Sequence, residues 1–411
     1  MKNTTASFAL ESYDPFDPRI QADPYPWYRA LRGHPGIHFV EQDRFYVAAR
    51  YDHLLTVLRQ PQLFSSELGM GSLMRGEVSP RLGRPRTSDI DIAALRVLIA
   101  TDPPDHTMLR RLVSRGFTPS AIAALEPRVR EIARACLDGL IDASRRGDAD
   151  LVRDLAEPLP VLVIAEMLGI PAEHRGDFKR WSDDVVGVLS GAGDLDRAQQ
   201  SMSDMFEFFV GAAEERRHRP ADDLISALVA QSDDGSLEPM EIVVFCILLL
   251  IAGNETTTNL LANLAAVLFA DPSLDARLRR DPSLIPAAIE ETLRYDGPVQ
   301  GLFRETRASA RLADTELPAG ARVLVLFGSA NRDERHFADP DTFRLERNPR
   351  DHIGFGAGIH LCLGAALARL EARVALEELF AHTRRLTATG PPTRVDSFIL
   401  RGLRRIPVTV S

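Results

Sequence analysis

The segment His352–Gly364 reads HIGFGAGIHLCLG: glycines at 354, 356 and 358, then His360, Cys362 and an apolar helical pattern from Leu363 onward. A glycine-rich turn ahead of a helix can cradle a phosphate, but no clear strand precedes this one and no lysine follows it as a P-loop requires. His352, His360 and Cys362 could ligate zinc, although a structural zinc site takes four ligands, usually with more thiolates. A lone thiolate at a helix N-terminus accounts for more of the residues. It suits axial ligation of heme iron, because the positive end of the helix and nearby N–H groups stabilise a sulfur anion. The glycines would let the loop approach a flat macrocycle without a Cβ clash, and Phe355 would cover the sulfur and keep water out.

Three further clusters lie ahead of this loop: Asp102–Arg110 (DPPDHTMLR), Ala252–Thr256 (AGNET) and Glu291–Arg294 (ETLR). Each alone is ordinary; a Glu and an Arg at i and i+3, for instance, occur on many solvated helix faces. In this order and at these distances the chain resembles the cytochrome P450 family. The family pattern F-G-x-G-x-H-x-C-x-G is met at Phe355, Gly356, Gly358, His360, Cys362 and Gly364. The E-x-x-R helix is met at Glu291 and Arg294, and Asp333 and Phe337–Phe343 match the stretch between them.

The resemblance implies roles. Cys362 becomes the axial ligand of heme b, its thiolate supplying electron density to the iron. Glu291 and Arg294 form a structural ion network with Arg347 that holds the Cys loop. Gly253 permits close approach to the heme and a local widening of its helix. Oxygen activation needs protons at a buried point, for which the Thr256 hydroxyl and the Glu255 carboxyl are the pair, with Glu where the family more often has Asp. His106, Arg110, Arg304 and His360 contact the heme propionates. Leu248, Ile251, Ala252, Val299 and Gln300 wall a substrate pocket, with Ser65–Asp91 and the Asp177–Arg217 helices as its lid. Gln300 either orients a polar group of the substrate or faces its own backbone. No flavin or iron–sulfur motif is present, so electrons must come from a separate ferredoxin with its reductase, or a flavodoxin-type donor. Arg111, Arg115, Arg369 and Arg373 are candidates for a basic docking patch.

The elements that must position these groups are legible in outline. The 411 residues are 45% hydrophobic and 26% charged, an ordinary globular mix. A net charge of −9 disfavours a nucleic-acid binder. Cys136, Cys246 and Cys362 are too few and too far apart for a disulfide framework, and Cys136 falls within an apolar helical stripe from Ile122 to Leu140. No signal peptide is expected in Met1–Asp17, and the apolar run Ile242–Ala252 is short for a membrane span. A strand pair is predicted at Ile37–Val40 and Phe45–Ala48, and further strands at Arg322–Phe327 and Pro407–Val410. Helical patterns run over Leu151–Leu168, Asp177–Leu189 and Gln199–Arg217, and one very long helix from Pro239 to Phe269. The two Asp-Pro-Ser-Leu segments at Asp271 and Asp281 read as helix starts.

The expected fold is mainly α with small β-sheets (α+β), a P450-like single domain over 1–411 with its long central helix over the heme. The expected function is a cytoplasmic heme-thiolate monooxygenase without a membrane anchor. It would insert one atom of O2 into a hydrophobic small-molecule substrate. Two alternatives are a peroxygenase using hydrogen peroxide, against which Glu255 and Thr256 argue, and a non-catalytic binding partner, against which Cys362 argues.

Overall fold

Pro239 opens the longest helix, Pro239–Ala270, at a position where its missing N–H is not needed; Glu238 and Glu241 close a reciprocal capping box there. The structure, a computed structural model, describes residues 10–74, 77, 96–189, 194–233 and 237–411. At 32 residues the helix is about 48 Å long. By length and apolar composition it would suffice to cross a membrane. It is instead the spine of a helical core, with Asn254, Glu255, Asn259 and Asn263 buried along it. Glu126–Arg145, Pro158–Met167 and Ala365–His382 share that core.

Two local features set how the neighbouring helix packs. A Cβ on Gly253 would stand 2.7 Å from Cδ1 of Ile164, so the close approach that Gly253 permits is that of the Pro158–Met167 helix. The central helix remains α-helical through this point, so the expected local widening at Gly253 is corrected. Upstream, Val152–Ala156 is π-helical and leads into Pro158 and Pro160. Pro160 has no N–H to give the Ala156 carbonyl, and the hydroxyl of Thr258 on the central helix donates to it instead at 3.1 Å.

The β structure comprises β1 (His38–Val40), β2 (Phe45–Ala48), β3 (Phe64–Ser65), β4 (Leu302–Thr306), β5 (Ala310–Leu312), β6 (Thr315–Leu317) and β7 (Arg322–Val325). Four short strands follow: β8 (Leu386–Ala388), β9 (Thr393–Arg394), β10 (Leu403–Arg405) and β11 (Val408–Val410). The main sheet has the order β1-β2-β7-β4-β3, and only the β2–β7 pair is parallel. The strand expected over Arg322–Phe327 ends at Val325, and Phe327 begins a short helix, Phe327–Ala330.

The stretch read as a loop, Ser65–Asp91, begins otherwise. Ser65 ends β3 and Ser66–Met74 is a helix; beyond it, apart from Glu77, the stretch lies outside the described residues. The helix start is capped from a distance: Asp102 accepts from the Ser66 and Glu67 amides and from the Ser65 hydroxyl, which itself accepts from the Leu68 amide. Both Asp-Pro-Ser-Leu segments cap as expected, Asp271 starting an α-helix and Asp281 a 3₁₀ turn that runs into Ile285–Tyr295.

Candidate active site

Cys362 lies between a glycine turn and the Ala365–His382 helix. Its amide donates to the Phe355 carbonyl at 2.9 Å, which folds the loop back on itself. Gly356 and Gly358 have φ of +76° and +70°, which L side chains rarely adopt. A Cβ on Gly358 would lie 2.3 Å from the Leu58 carbonyl oxygen, and one on Gly354 2.8 Å from that of Leu293. Protein backbone packed against the loop is thus enough by itself to require glycine at 354 and 358. Although Cys362 is surface-accessible in the open loop, the protein atoms around it displace enough water to push its thiol up, while the Gly364 amide, Arg110 and Arg369 act in the opposite sense.

Two ion clusters brace this loop. Glu291 binds Arg294 through both carboxylate oxygens, at 2.8 and 2.7 Å, and also accepts from Arg347 Nε at 3.1 Å and from the Arg344 amide. Arg294 reaches on to the carbonyls of Asn331 and Pro340, and the Asn331 side chain accepts from the Ile353 amide at the root of the Cys loop. In the second cluster, Glu290 takes both Arg369 and His352. Burial alone would raise Glu290, but these two partners outweigh it and hold its pKa at about 2. Arg369 in turn lies over the Phe355 ring, 4.6 Å from its centroid.

On the side facing β4, four donors converge. The His106 and His360 rings are 4.3 Å apart, and neither Nε2 atom has a hydrogen-bond partner among the described residues. Arg304, 3% exposed on β4, donates among the described residues only to the carbonyl of Phe303. Burial brings its pKa down to about 10. It also lowers Arg110, which Cys362 partly offsets, and takes His360 to about 3 with help from Arg304 and His106. The nearby acid, Asp102, is committed to the Ser66–Met74 helix and to Arg307. Buried donors without an anion are costly, and the two carboxylates of heme would match the two arginines in charge while the histidines supply further donors. The residues fit the group.

The central helix presents Ala252 exposed between buried Leu250 and Asn254. Thr256 donates its hydroxyl to the Ala252 carbonyl at 2.8 Å. Glu255 is 8% exposed; burial pushes its pKa up to about 7, against the pull of Arg404. Asn254 turns away, its amide donating to Ser182 of the Arg175–Leu189 helix at 2.5 Å. Of the expected pocket residues, Leu248 and Ile251 are half-buried on this helix and Val299 is half-buried beside Leu400. The Gln300 amide donates to the Gly297 carbonyl at 2.8 Å, the backbone-facing one of its two orientations.

Of the four arginines read as a docking patch, Arg369 is engaged by Glu290 and Arg373 by Glu126 and Glu377, while Arg111 and Arg115 are exposed with no ion pair among the described residues. Sequence reasoning missed Asp102, Asn331 and Gly69. A Cβ on Gly69 would meet the Arg304 backbone at 2.5 Å, so that glycine lets the Ser66–Met74 helix cross directly over Arg304. The small residues of Leu68–Ser72 were the available signal.

A family model described as Cytochrome P450 matches residues 167–399. Cytochrome P450 107B1 of Saccharopolyspora erythraea is 37% identical, covering 96% of this chain and 96% of its own. The cytochrome P450 monooxygenase PikC of Streptomyces venezuelae is 37% identical, covering 99% of this chain and 96% of its own. Among solved structures, CYP109Q5 from Chondromyces apiculatus matches with a TM-score of 0.88 at 36% identity, over 98% of this chain and 99% of that one. CYP109E1 from Bacillus megaterium in complex with testosterone matches with a TM-score of 0.81 at 36% identity, over 95% and 98%.

Proposed function

The chain belongs to the cytochrome P450 family, and from that premise we propose which of its residues carry the reaction. The protein is a heme b monooxygenase of the bacterial type. Bound heme would supply the iron at which one atom of dioxygen is directed into an apolar substrate, the other leaving as water after taking up two electrons from a donor protein and two protons.

Cys362 holds the iron. His106, Arg110, Arg304 and His360 would hold the propionates, and the observation that carries this reading is that these buried and half-buried donors converge beside Cys362, with the Nε2 atoms of both histidines unpartnered among the described residues. Glu291, Arg294 and Arg347 keep the loop in register from below. Phe355 shields the sulfur and is fixed by Arg369 above its ring.

Glu255 is the proton source. With a pKa of about 7 it is both protonated and ionised in appreciable fraction near neutral pH, the condition for efficient proton transfer. Thr256 Oγ1 donates to Ala252 and so offers lone pairs to an incoming proton; rotating off that carbonyl frees its own hydrogen to be passed on. Leu248, Ile251, Ala252 and Val299 form the apolar wall, with Gln300 locked to its backbone beside them. Steroids are the first substrates to screen, since CYP109E1 is seen with testosterone and corticosterone.

Family members of this kind draw electrons from ferredoxin-type partners. Here Arg111 and Arg115 are the free cations offered to such an acidic donor. A cytoplasmic location and a single domain over 1–411 complete the reading.

The test is the absorption spectrum of the purified protein after dithionite and carbon monoxide, for wild type and Cys362→Ser. A strongly red-shifted Soret band in the first and its loss in the second are expected. An identical spectrum in both sinks the assignment.

A further inference from the structure

A second cavity, of about 430 Å³, opens at the far end of the central helix. Its walls are Ala266, Val267 and Ala270 of that helix, Tyr25 and Tyr295, and four arginines. Asn263, also on the wall, is seven residues beyond Thr256, or about 10 Å along the axis, and the cavity extends onward from there. No residue assigned to oxygen activation or to the heme lines it.

Its charge is out of balance. Arg332 and Arg401 are 5% and 6% exposed and Arg394 is half-exposed, while the one buried carboxylate among them is Asp296, 8% exposed. Asp296 is already taken: Arg401 Nε donates to it at 2.6 Å, and so does the Tyr25 hydroxyl. Arg332 is clamped between the rings of Tyr25 and Tyr295, 3.5 and 3.8 Å from their centroids, with its donors on the Tyr295 carbonyl and Asp341. Arg401 spends its remaining donors on the carbonyls of Gln21 and Ala22. Of the four arginine side chains, that of Arg394 alone makes no hydrogen bond among the described residues. Its nearest carboxylate oxygen, on Asp296, is 4.0 Å away. Loss of hydration and the like charge of Arg401 lower Arg394 by more than Asp296, Tyr25 and Asp23 raise it. The other acids on the wall, Asp23 and Asp341, are at the exposed rim.

A guanidinium fork that faces a cavity with spare donors matches paired oxygens on a planar anion. The alanines, Val267 and the tyrosine rings beside it suit a short apolar body. We propose that this cavity is a binding site for a small organic carboxylate, held by Arg394 and packed on Val267 and Tyr25, separate from the heme. The inference does not depend on the assignment of the reaction.

The test uses the full-length, heme-loaded protein and benzoate as probe, followed by isothermal titration calorimetry, with benzyl alcohol and inorganic phosphate as comparisons. Saturable benzoate binding is expected, with no change in the Soret band. It should weaken at least tenfold in Arg394→Gln and in Val267→Trp, both retaining the wild-type heme spectrum, and benzyl alcohol should not bind. No saturable benzoate binding to wild type overturns the proposal, as does equal affinity in Arg394→Gln. Phosphate binding as tightly as benzoate overturns the organic part of the assignment. A Soret shift with benzoate, retained in Arg394→Gln, places the ligand at the heme and overturns the separate site.

Discussion

The imidazoles of His106 and His360 meet at 4.3 Å between ring centroids, tilted by 58°, although 254 positions of sequence separate them. One comes from the first turn of the Asp105–Val113 helix and the other from the Cys loop. Two imidazoles so close, above the buried Arg304, cannot readily both be charged without an anion between them.

Heme retention should therefore depend on Arg304. A charge-assisted hydrogen bond to a buried group contributes about 1.5–3 kcal/mol, so Arg304→Gln should release heme to apomyoglobin roughly ten- to a hundredfold faster. An unchanged transfer rate removes Arg304 from the propionate set.

Glu255 should set a stability–activity trade-off with a definite sign. Its folded pKa, raised from the model-compound value of 4.5 to about 7, means that the folded state holds the proton more tightly than the unfolded one. Stability then falls as pH rises through that window and is lowest above it, by roughly 3 kcal/mol. Glu255→Gln should be more stable than wild type at pH 8 and equal to it at pH 4, read from urea unfolding. Its turnover should drop by about 10²-fold with loss of the titration near neutrality. A wild-type protein whose stability rises between pH 5 and 7 relative to the variant contradicts this.

Asp102 works in the other direction. Burial would raise it, but the hydrogen bonds from Ser65, the Ser66 amide and Arg307 outweigh burial and lower it. Its contribution is present above the unfolded value and is lost as pH falls below it. Asp102→Ala should cost about 2–4 kcal/mol through the lost cap and the unpaired donors around it. It should also loosen heme, because the helix it starts crosses Arg304 at Gly69. Normal heme affinity alongside lowered stability would separate the two roles.

At Gly253 two effects of similar size oppose each other. Alanine gains about 1 kcal/mol of helix propensity but meets Cδ1 of Ile164, and overpacking costs about 1–3 kcal/mol. Gly253→Ala should be neutral or destabilising alone. Added to Ile164→Val, which removes that methyl, it should stabilise by up to about 1 kcal/mol. Identical effects in the two backgrounds would show that Ile164 does not set the glycine requirement.

What could be read from sequence followed locality. The Cys loop, the Glu291–Arg294 pair and the long helix are written in short-range spacing, and Arg347 was found because a family pattern supplied its partner. The Ser66–Met74 helix was missed because its cap, Asp102, is distant in sequence, and Gly-rich Leu68–Ser72 has low helix propensity. The packing of Gly253 on Ile164 was invisible for a similar reason, since nothing near it in sequence shows that Ile164 will be there. Arg369 and Arg373 looked like free surface charge because Glu290 and Glu126 approach them from other helices. Burial of Arg304 was equally invisible, since β4 acquires its neighbours β3 and β7 from both sides of the sequence.

The contact between Asn254 and Ser182 has a consequence for motion. Any outward swing of the Arg175–Leu189 helix strands an amide in an apolar interior, at about 1–3 kcal/mol, immediately before Glu255 in sequence. The helix is thus drawn back by the same residue that adjoins the proton source.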